Sequence, residues 1–259
     1  LLYDTNLDEE QRDFVETMKI EQFLSDTYDF INYLRNRFDQ EKVNVVGYSW
    51  GSVLGALTAK RHPEIINAYI GVSQVVNSRQ AERMAEDFIS REAVTRKNDE
   101  AEKELEGVRK LTPEAGDLFL LKVNVLRKWV QKFGGAMYRE KNLDRLRMAV
   151  LTSGCYDFKD LVNYSRGWEF SVKCLWKEIV EINLFRQIPK LNVPVIFIHG
   201  KHDYQTPTEI TNKYFEFLEA PKKEIFIFEN SAHHPLFEEP EKFNDILSEK
   251  ILGLHIAMA

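Results

Sequence analysis

Ser49 stands between two glycines in Gly47-Tyr48-Ser49-Trp50-Gly51, a G-x-S-x-G pattern, and its neighbours give that pattern a mechanical meaning. Before it, Val43-Asn44-Val45-Val46 is a β-branched run that reads as a buried strand. After it, Ser52 to about Arg61 carries Leu54, Ala56, Leu57 and Ala59, good helix formers, until Pro63 stops the pattern. A serine on so tight a strand-to-helix turn is held in strained backbone geometry with its hydroxyl above the sheet, and glycines on both sides let strand and helix pass without a Cβ clash. The helix N-terminus beneath it offers free N–H groups and a positive dipole end, which favour the negative charge of acyl transfer. The competing assignment is a serine that merely caps the helix.

A hydroxyl is a poor nucleophile until a base takes its proton, so Ser49 needs a histidine, and the histidine an acid behind it. Asp203 follows the run Val193 to Ile198 in His199-Gly200-Lys201-His202-Asp203, and His233 follows Ile225 to Phe228 in Ser231-Ala232-His233-His234-Pro235. Both loops lie just past the carboxyl end of an expected strand, where open α/β sheets gather their functional residues. The order Ser49, Asp203, His233 is also the chain order found in the fold that carries such a turn, Ser first, then Asp or Glu, then His. As an alternative, Asp203 is a turn former, since Gly200 and Pro207 mark a turn too. His233 and His234 point in different directions, and only one of them can face Ser49. Their spacing does not suit a metal, and none is expected. His62, His199, His202 and His255 read as surface or turn histidines, and Cys155 and Cys174, without CxxC spacing, as ordinary thiols.

These groups need a sheet to hold them. Ala68-Tyr69-Ile70-Gly71-Val72 repeats the strand signal, so Val43 to Val72 reads as a βαβ unit with a parallel pairing. Strands are expected again at Val193 to Ile198 and Glu224 to Phe228, with a helix from about Thr208 to Leu218 between them. A helix over Thr17 to Phe38 precedes the unit, and one from about Pro240 to Ile251 closes the chain. From about Arg79 to Gln187 the pattern turns helical and strongly charged. Asp99/Lys103 and Glu106/Lys110 are placed for helical ion pairs, and Leu118, Leu121, Val125, Leu126 and Trp129 form one apolar stripe. Leu175, Trp176, Ile179 and Ile182 form another, and both stripes are read as packing rather than substrate contacts. The expected division is a core of residues 1–78 and 188–259 with a helical insertion at 79–187.

The 259 residues, 44% of them apolar, suffice for one buried core. A net charge of −6 argues against a nucleic-acid partner, because no basic surplus is there to neutralise a run of phosphates. No stretch reaches the roughly 20 apolar residues of a membrane span, and the first residues lack the order of a signal peptide, so the chain reads as cytoplasmic without a membrane partner.

The chain resembles the α/β-hydrolase superfamily and, within it, the proline iminopeptidase-like branch. Three segments carry the likeness: Val43 through Ser52, Pro194 through Pro207 with His-Gly-Lys-His-Asp, and Ser231 through Phe243, which reads SAHHPLFEEPEKF. In the family the catalytic histidine comes before a variable residue and a proline, followed by Glu-x-Pro-Glu-x-Phe, and this selects His233 over His234. Trp50 after the nucleophile is similar to the iminopeptidases, and the insertion is similar to the family's cap. The resemblance implies that acidic residues of the cap bind a free amino group, with Glu169 and Glu178 as candidates. The family's His-Gly-Gly-Pro-Gly loop, source of a second oxyanion donor, and its Asp-Gln-Arg-Gly segment are not in the sequence. Leu1-Leu2-Tyr3-Asp4 is similar to the strand before the latter, which implies absent N-terminal strands and leaves the Trp50 N–H as the oxyanion donor that can be named.

The function expected is a serine hydrolase acting through an acyl-enzyme without a cofactor, on a small-molecule or peptide substrate, as an aminopeptidase of the iminopeptidase kind. The alternatives are a carboxylesterase on small esters and a ligand-binding module of the same fold without turnover.

Overall fold

Four strands pair in parallel in the order β1 (Val43–Tyr48), β2 (Ile66–Val72), β3 (Val195–Gly200) and β4 (Lys223–Phe228), in a computed structural model that describes residues 17–112, 114, 117–138 and 144–256. In register, Val45 lies opposite Tyr69, Tyr69 opposite Val195, and Phe197 opposite Ile225. Because side chains alternate along a strand, Tyr69, Val195 and Phe197 share one face, and Ala68, Ile70, Val72, Ile196 and Ile198 share the other. Both faces are buried in β2 and β3, as the continuous apolar runs predicted, but β1, expected to be buried, is only half-buried and Val46 is exposed, because β1 has a strand partner on one side only among the described residues.

Helices cover the two faces. Ile20, Leu24 and Ile31 of α1 (Ile20–Phe38) and Val53, Ala56 and Ala59 of α2 (Trp50–Arg61) pack on the Tyr69 face, and Phe243 of the last helix on the other. The expected strand at Val193 begins at Val195 instead, since Pro194 has no N–H to give the ladder and contributes only its carbonyl, which accepts from Tyr69 N at 2.9 Å. The first helix starts at Ile20 rather than Thr17, because Lys19 is extended. The expectation for Leu1 to Asp4 lies outside the described residues.

Between β2 and β3 run α3 (Ser78–Arg96), α4 (Asp99–Val108), α5 (Asp117–Lys132), α6 (Asp144–Thr152), α7 (Phe158–Ile179) and a single turn, α8 (Leu184–Gln187). The side chains of Asn77 and Asn98 accept from backbone N–H groups at the starts of α3 and α4, as N-caps. Phe88, Ile89, Leu105, Leu126 and Trp129 build a core of their own for α3 to α5. Leu118 and Leu121, expected in the apolar stripe, are exposed, so only its carboxyl half is buried. The ion pairs formed are also not those expected: Glu106 pairs with Arg109, and Glu100 and Glu104 with Lys128 of the neighbouring helix. Glu106 takes the guanidinium three residues on instead of the lysine four residues on, and Glu100 and Glu104 take a cation from α5. Past β3, α9 (Thr208–Phe217) leads to β4, and α10 (Pro235–Glu238) and α11 (Pro240–Ile256) follow it. No helix among the described residues is long and apolar enough to cross a membrane.

Candidate active site

The turn between β1 and α2 is built as its residues require. A Cβ on Gly47 would sit 2.5 Å from Gly51 O and 2.7 Å from Ser52 Cα, so only glycine lets the helix start this close to the strand. A Cβ on Gly51 would meet nothing within 4 Å, so the second glycine is not needed to avoid a clash, contrary to the sequence reading. Ser49 has φ 51° and ψ −120°, a strained conformation for a residue with a Cβ. It is fixed by Ser49 N donating to Val72 O at 2.9 Å and by Ser52 Oγ donating to Ser49 O at 2.5 Å. The Ser49 side chain makes no capping bond, which disposes of the helix-cap alternative.

Instead, Ser49 Oγ lies 2.8 Å from His233 Nε2, and His233 Nδ1 lies 2.9 Å from Asp203 Oδ2. A carboxylate beside Nδ1 keeps the proton on that nitrogen, so the lone pair of Nε2 faces the serine hydroxyl, which donates to it. Three segments meet here because β1, β3 and β4 all end at the same edge of the sheet. A Cβ on Gly200 would stand 1.9 Å from Ala232 O, so glycine at the end of β3 lets the loop of Asp203 touch the loop of His233.

Asp203 is only 2% exposed and accepts from several donors. Its Oδ1 takes Gln205 N at 2.8 Å and Thr206 N at 2.9 Å, and its Oδ2 takes Thr206 Oγ1 at 2.7 Å besides His233. Burial pulls its pKa upward, but the His233 and His199 rings and their hydrogen bonds outweigh this and hold the carboxyl well below the usual carboxylate range. It is therefore the anion that an imidazole needs behind it, and not a mere turn former.

Several contributors were not singled out from sequence. His199, read there as a surface or turn residue, is wholly buried, donates from Nε2 to Thr206 O at 2.7 Å and stands 3.3 Å from Asp203 Oδ2. It belongs to a strand buried at every position, and that burial was the available signal. Ser73, one residue past β2 with φ 48°, donates from Oγ to His233 O at 2.8 Å. Glu238 accepts from Ala232 N at 2.8 Å and from Tyr138 N at 2.6 Å, which ties down the histidine loop. The stretch after α5 joins the same assembly: Gly135 O accepts from Tyr204 N and Ala136 O from His233 N, each at 2.9 Å.

His234 turns away from Ser49 and accepts from the Tyr48 hydroxyl at Nδ1. Burial, then the neighbouring His233 charge, pushes its pKa down to about 4, while burial together with Asp203 and Glu238 raises the phenol of Tyr48 and keeps it a donor. An unfolded histidine takes up its proton near pH 6.5, so between about 6.5 and about 4 the unfolded chain binds more protons than the folded one, and stability falls as pH falls. Denaturation midpoints in urea should therefore drop between about pH 7 and pH 4.5, by at most about 3 kcal/mol from this ring and less for its partial solvent access. The drop should shrink in a His234→Gln variant. Equal drops in both proteins would remove His234 as its source.

A cavity of about 380 Å³ opens beside Ser49 and His233. Trp50, Leu126, Trp168, Leu175 and Trp176 make much of its wall, so Leu175, Trp176 and Ile179, expected to serve packing, also face the cavity. Glu82 and Arg127 are charged groups on the same wall. Glu178 is not part of it: its Oε2 accepts from Ile20 N at 3.2 Å, on the side of α7 turned to α1, which corrects its assignment to substrate binding. The side chain of Glu169 lies outside the described structure. Trp50 is the first residue of α2, where a helix N–H has no intrahelical acceptor. Among the described residues no group of three or more His, Cys, Asp or Glu is gathered to hold a metal, and Cys155 and Cys174 are unlinked.

A sequence profile described as alpha/beta hydrolase fold matches residues 21–240. The chain is 34% identical over 233 residues to a probable aminopeptidase, YbaC, of Bacillus subtilis (strain 168), covering 90% of this chain and 72% of that protein. It is 21% identical over 225 residues to a proline iminopeptidase of Heyndrickxia coagulans, covering 83% of this chain and 69% of that one. Among solved structures, the proline iminopeptidase of Mycobacterium smegmatis superimposes with a TM-score of 0.63 at 15% identity over 95% of this chain and 75% of that one, a likeness of fold. With a profile spanning most of its length, a parallel sheet flanked by helices, and a serine on the strand-to-helix turn, the chain belongs to the α/β-hydrolase fold family of hydrolytic enzymes.

Proposed function

We propose that the protein is a serine hydrolase that works through an acyl-enzyme and acts as an aminopeptidase on small peptides or amides. The observation that carries this reading is the pair of hydrogen bonds linking Ser49 Oγ to His233 Nε2 and His233 Nδ1 to Asp203 Oδ2. Ser49 attacks the carbonyl carbon as His233 takes its proton. The same imidazole returns the proton to the leaving amine, and water repeats the sequence to release the acid. Asp203 fixes the ring and stabilises the imidazolium. The Trp50 N–H, at the positive end of α2, faces the charge that develops on the carbonyl oxygen. These steps use side chains and backbone only and need no cofactor. In this reading residues 79–187 are a cap over a core made by 1–78 and 188–259.

The preference for peptides is supported by the 34% identity to a probable aminopeptidase and by Glu82, a carboxylate on the cavity wall. Glu82 shares the ammonium of Lys122 with Glu86, at 2.6 and 2.8 Å, and Glu86 also lies 3.9 Å from Arg109, so Lys122 engages one oxygen of Glu82 and the other is the acceptor offered to a substrate amine. A carboxylesterase is the second reading, favoured by the apolar remainder of the wall. The test compares a proline arylamide, its N-acetyl derivative and a short-chain aryl ester. An aminopeptidase should cleave the free arylamide and lose at least about tenfold in kcat/KM when the amine is acetylated, the worth of one charged contact. Faster turnover of the ester, with no effect of acetylation, would establish the esterase instead. If none is turned over and a fluorophosphonate leaves Ser49 unlabelled, the chain is a binding module.

A further inference from the structure

Several basic side chains in the helices between β2 and β3 have carboxylate partners: Arg96 has Glu92, Arg109 has Glu106, Lys122 has Glu82 and Glu86, and Lys128 has Glu100 and Glu104. Arg127 is set apart by its place. It lies on α5 in the wall of the cavity that holds Ser49 and His233, and among the described residues no carboxylate pairs with it. Its guanidinium sits 5.4 Å from the ring centroid of Trp168, another wall residue. The side chain is exposed to solvent along part of its length, and the protein around its charge lowers its pKa by burial, opposed by Tyr164.

A guanidinium does not give up its charge in a protein, and on a mostly apolar wall Arg127 has no counter-ion among the described residues. A cation–π contact with the indole uses none of its N–H groups, which keep the fork geometry that matches a carboxylate. The cavity is at the small end for organic ligands and carries opposite charges at Glu82 and Arg127 on an apolar wall. We propose that Arg127 receives a carboxylate of the substrate, and that the preferred substrates are very short peptides with a free C-terminus. This rests on the aminopeptidase reading and narrows it. Such a molecule has one cation and one anion, and the wall has one group for each.

The experiment measures kcat/KM of the wild-type protein for a proline-initiated dipeptide with a free carboxylate and for the same dipeptide as its C-terminal amide, beside fluorophosphonate labelling of Ser49. The free acid should be favoured by about 10- to 100-fold, the usual worth of a hydrogen bond to a charged partner. In Arg127→Met the ratio should fall towards one, and Arg127→Lys, which keeps the charge but not the fork, should give an intermediate ratio. Labelling shows which variants keep an assembled site, and Arg127→Lys carries the comparison where the methionine variant does not label. Equal cleavage of acid and amide by the wild type, or an unchanged ratio in a variant that labels, overturns the proposal and leaves the aminopeptidase reading standing. Labelling of Ser49 with neither dipeptide cleaved overturns both.

Discussion

Ser49→Ala should lower kcat by about 10⁵- to 10⁶-fold and abolish labelling by a fluorophosphonate, because a nucleophile and its base act as one unit and little survives the loss of either. What remains should come from binding and from the oxyanion donor. The effect should not come through folding. The Ser49 hydroxyl makes no capping bond, and the strained turn is held by the backbone bond to Val72 O and by Ser52 Oγ, both of which persist in the variant. A thermal melt beside the kinetics separates the two causes. Retention of more than about a hundredth of the wild-type rate in a folded Ser49→Ala protein is incompatible with covalent catalysis at this position.

Asp203→Asn should cost about 10⁴-fold in kcat with the site still assembled. The direction follows from the donors around the carboxylate. Oδ1 accepts two backbone N–H groups, from Gln205 and Thr206, so an asparagine keeps its oxygen there and turns its NH₂ to the place of Oδ2. At that place it meets Thr206 Oγ1 and His233 Nδ1, both of which donate to the carboxylate. Donor faces donor. His233 then moves its proton to Nε2, which points a proton at Ser49 instead of a lone pair. Turnover measured from about pH 5 to 9 should stay depressed throughout, since a wrong tautomer is not cured by titration. A loss under about tenfold would mean that Asp203 only shapes its loop.

How much of this was legible depended on how local the cause was. The β-branched run, the glycines and the alanine-rich stretch around Ser49 are neighbours in sequence, and the turn they announce is the turn found. The carboxyl-edge position of Asp203 and His233 followed from counting strands. The choice of His233 over His234 did not, and it needed the motif running on to Phe243. Its physical reason is visible in the fold, where Tyr48 takes His234 while Glu238 holds Ala232 N. His199 went astray because loop-like neighbours, Gly200 and Lys201, hid its place in a fully buried strand. Glu178 went astray because helical periodicity gives a face but not its neighbour: that face meets the start of α1, 158 residues away in sequence. The expected pair Glu106/Lys110 failed for a local reason, since Arg109, three residues on, takes Glu106, while periodicity gave no sign of Lys128 of another helix beside Glu100 and Glu104.

The two carbonyls of Gly135 and Ala136 lead in another direction. They anchor the helical insertion by its backbone to the loops of Asp203 and His233, and a Cβ on Gly135 would come within 3.0 Å of Phe88, Val130 and Tyr204. Any movement of the stretch that follows α5 would pull on the loop that carries the imidazole. A chimera carrying a sister enzyme's helices would inherit a new specificity only if this dipeptide travelled with the recipient, because it is part of the reacting centre's frame although it lies within the insertion.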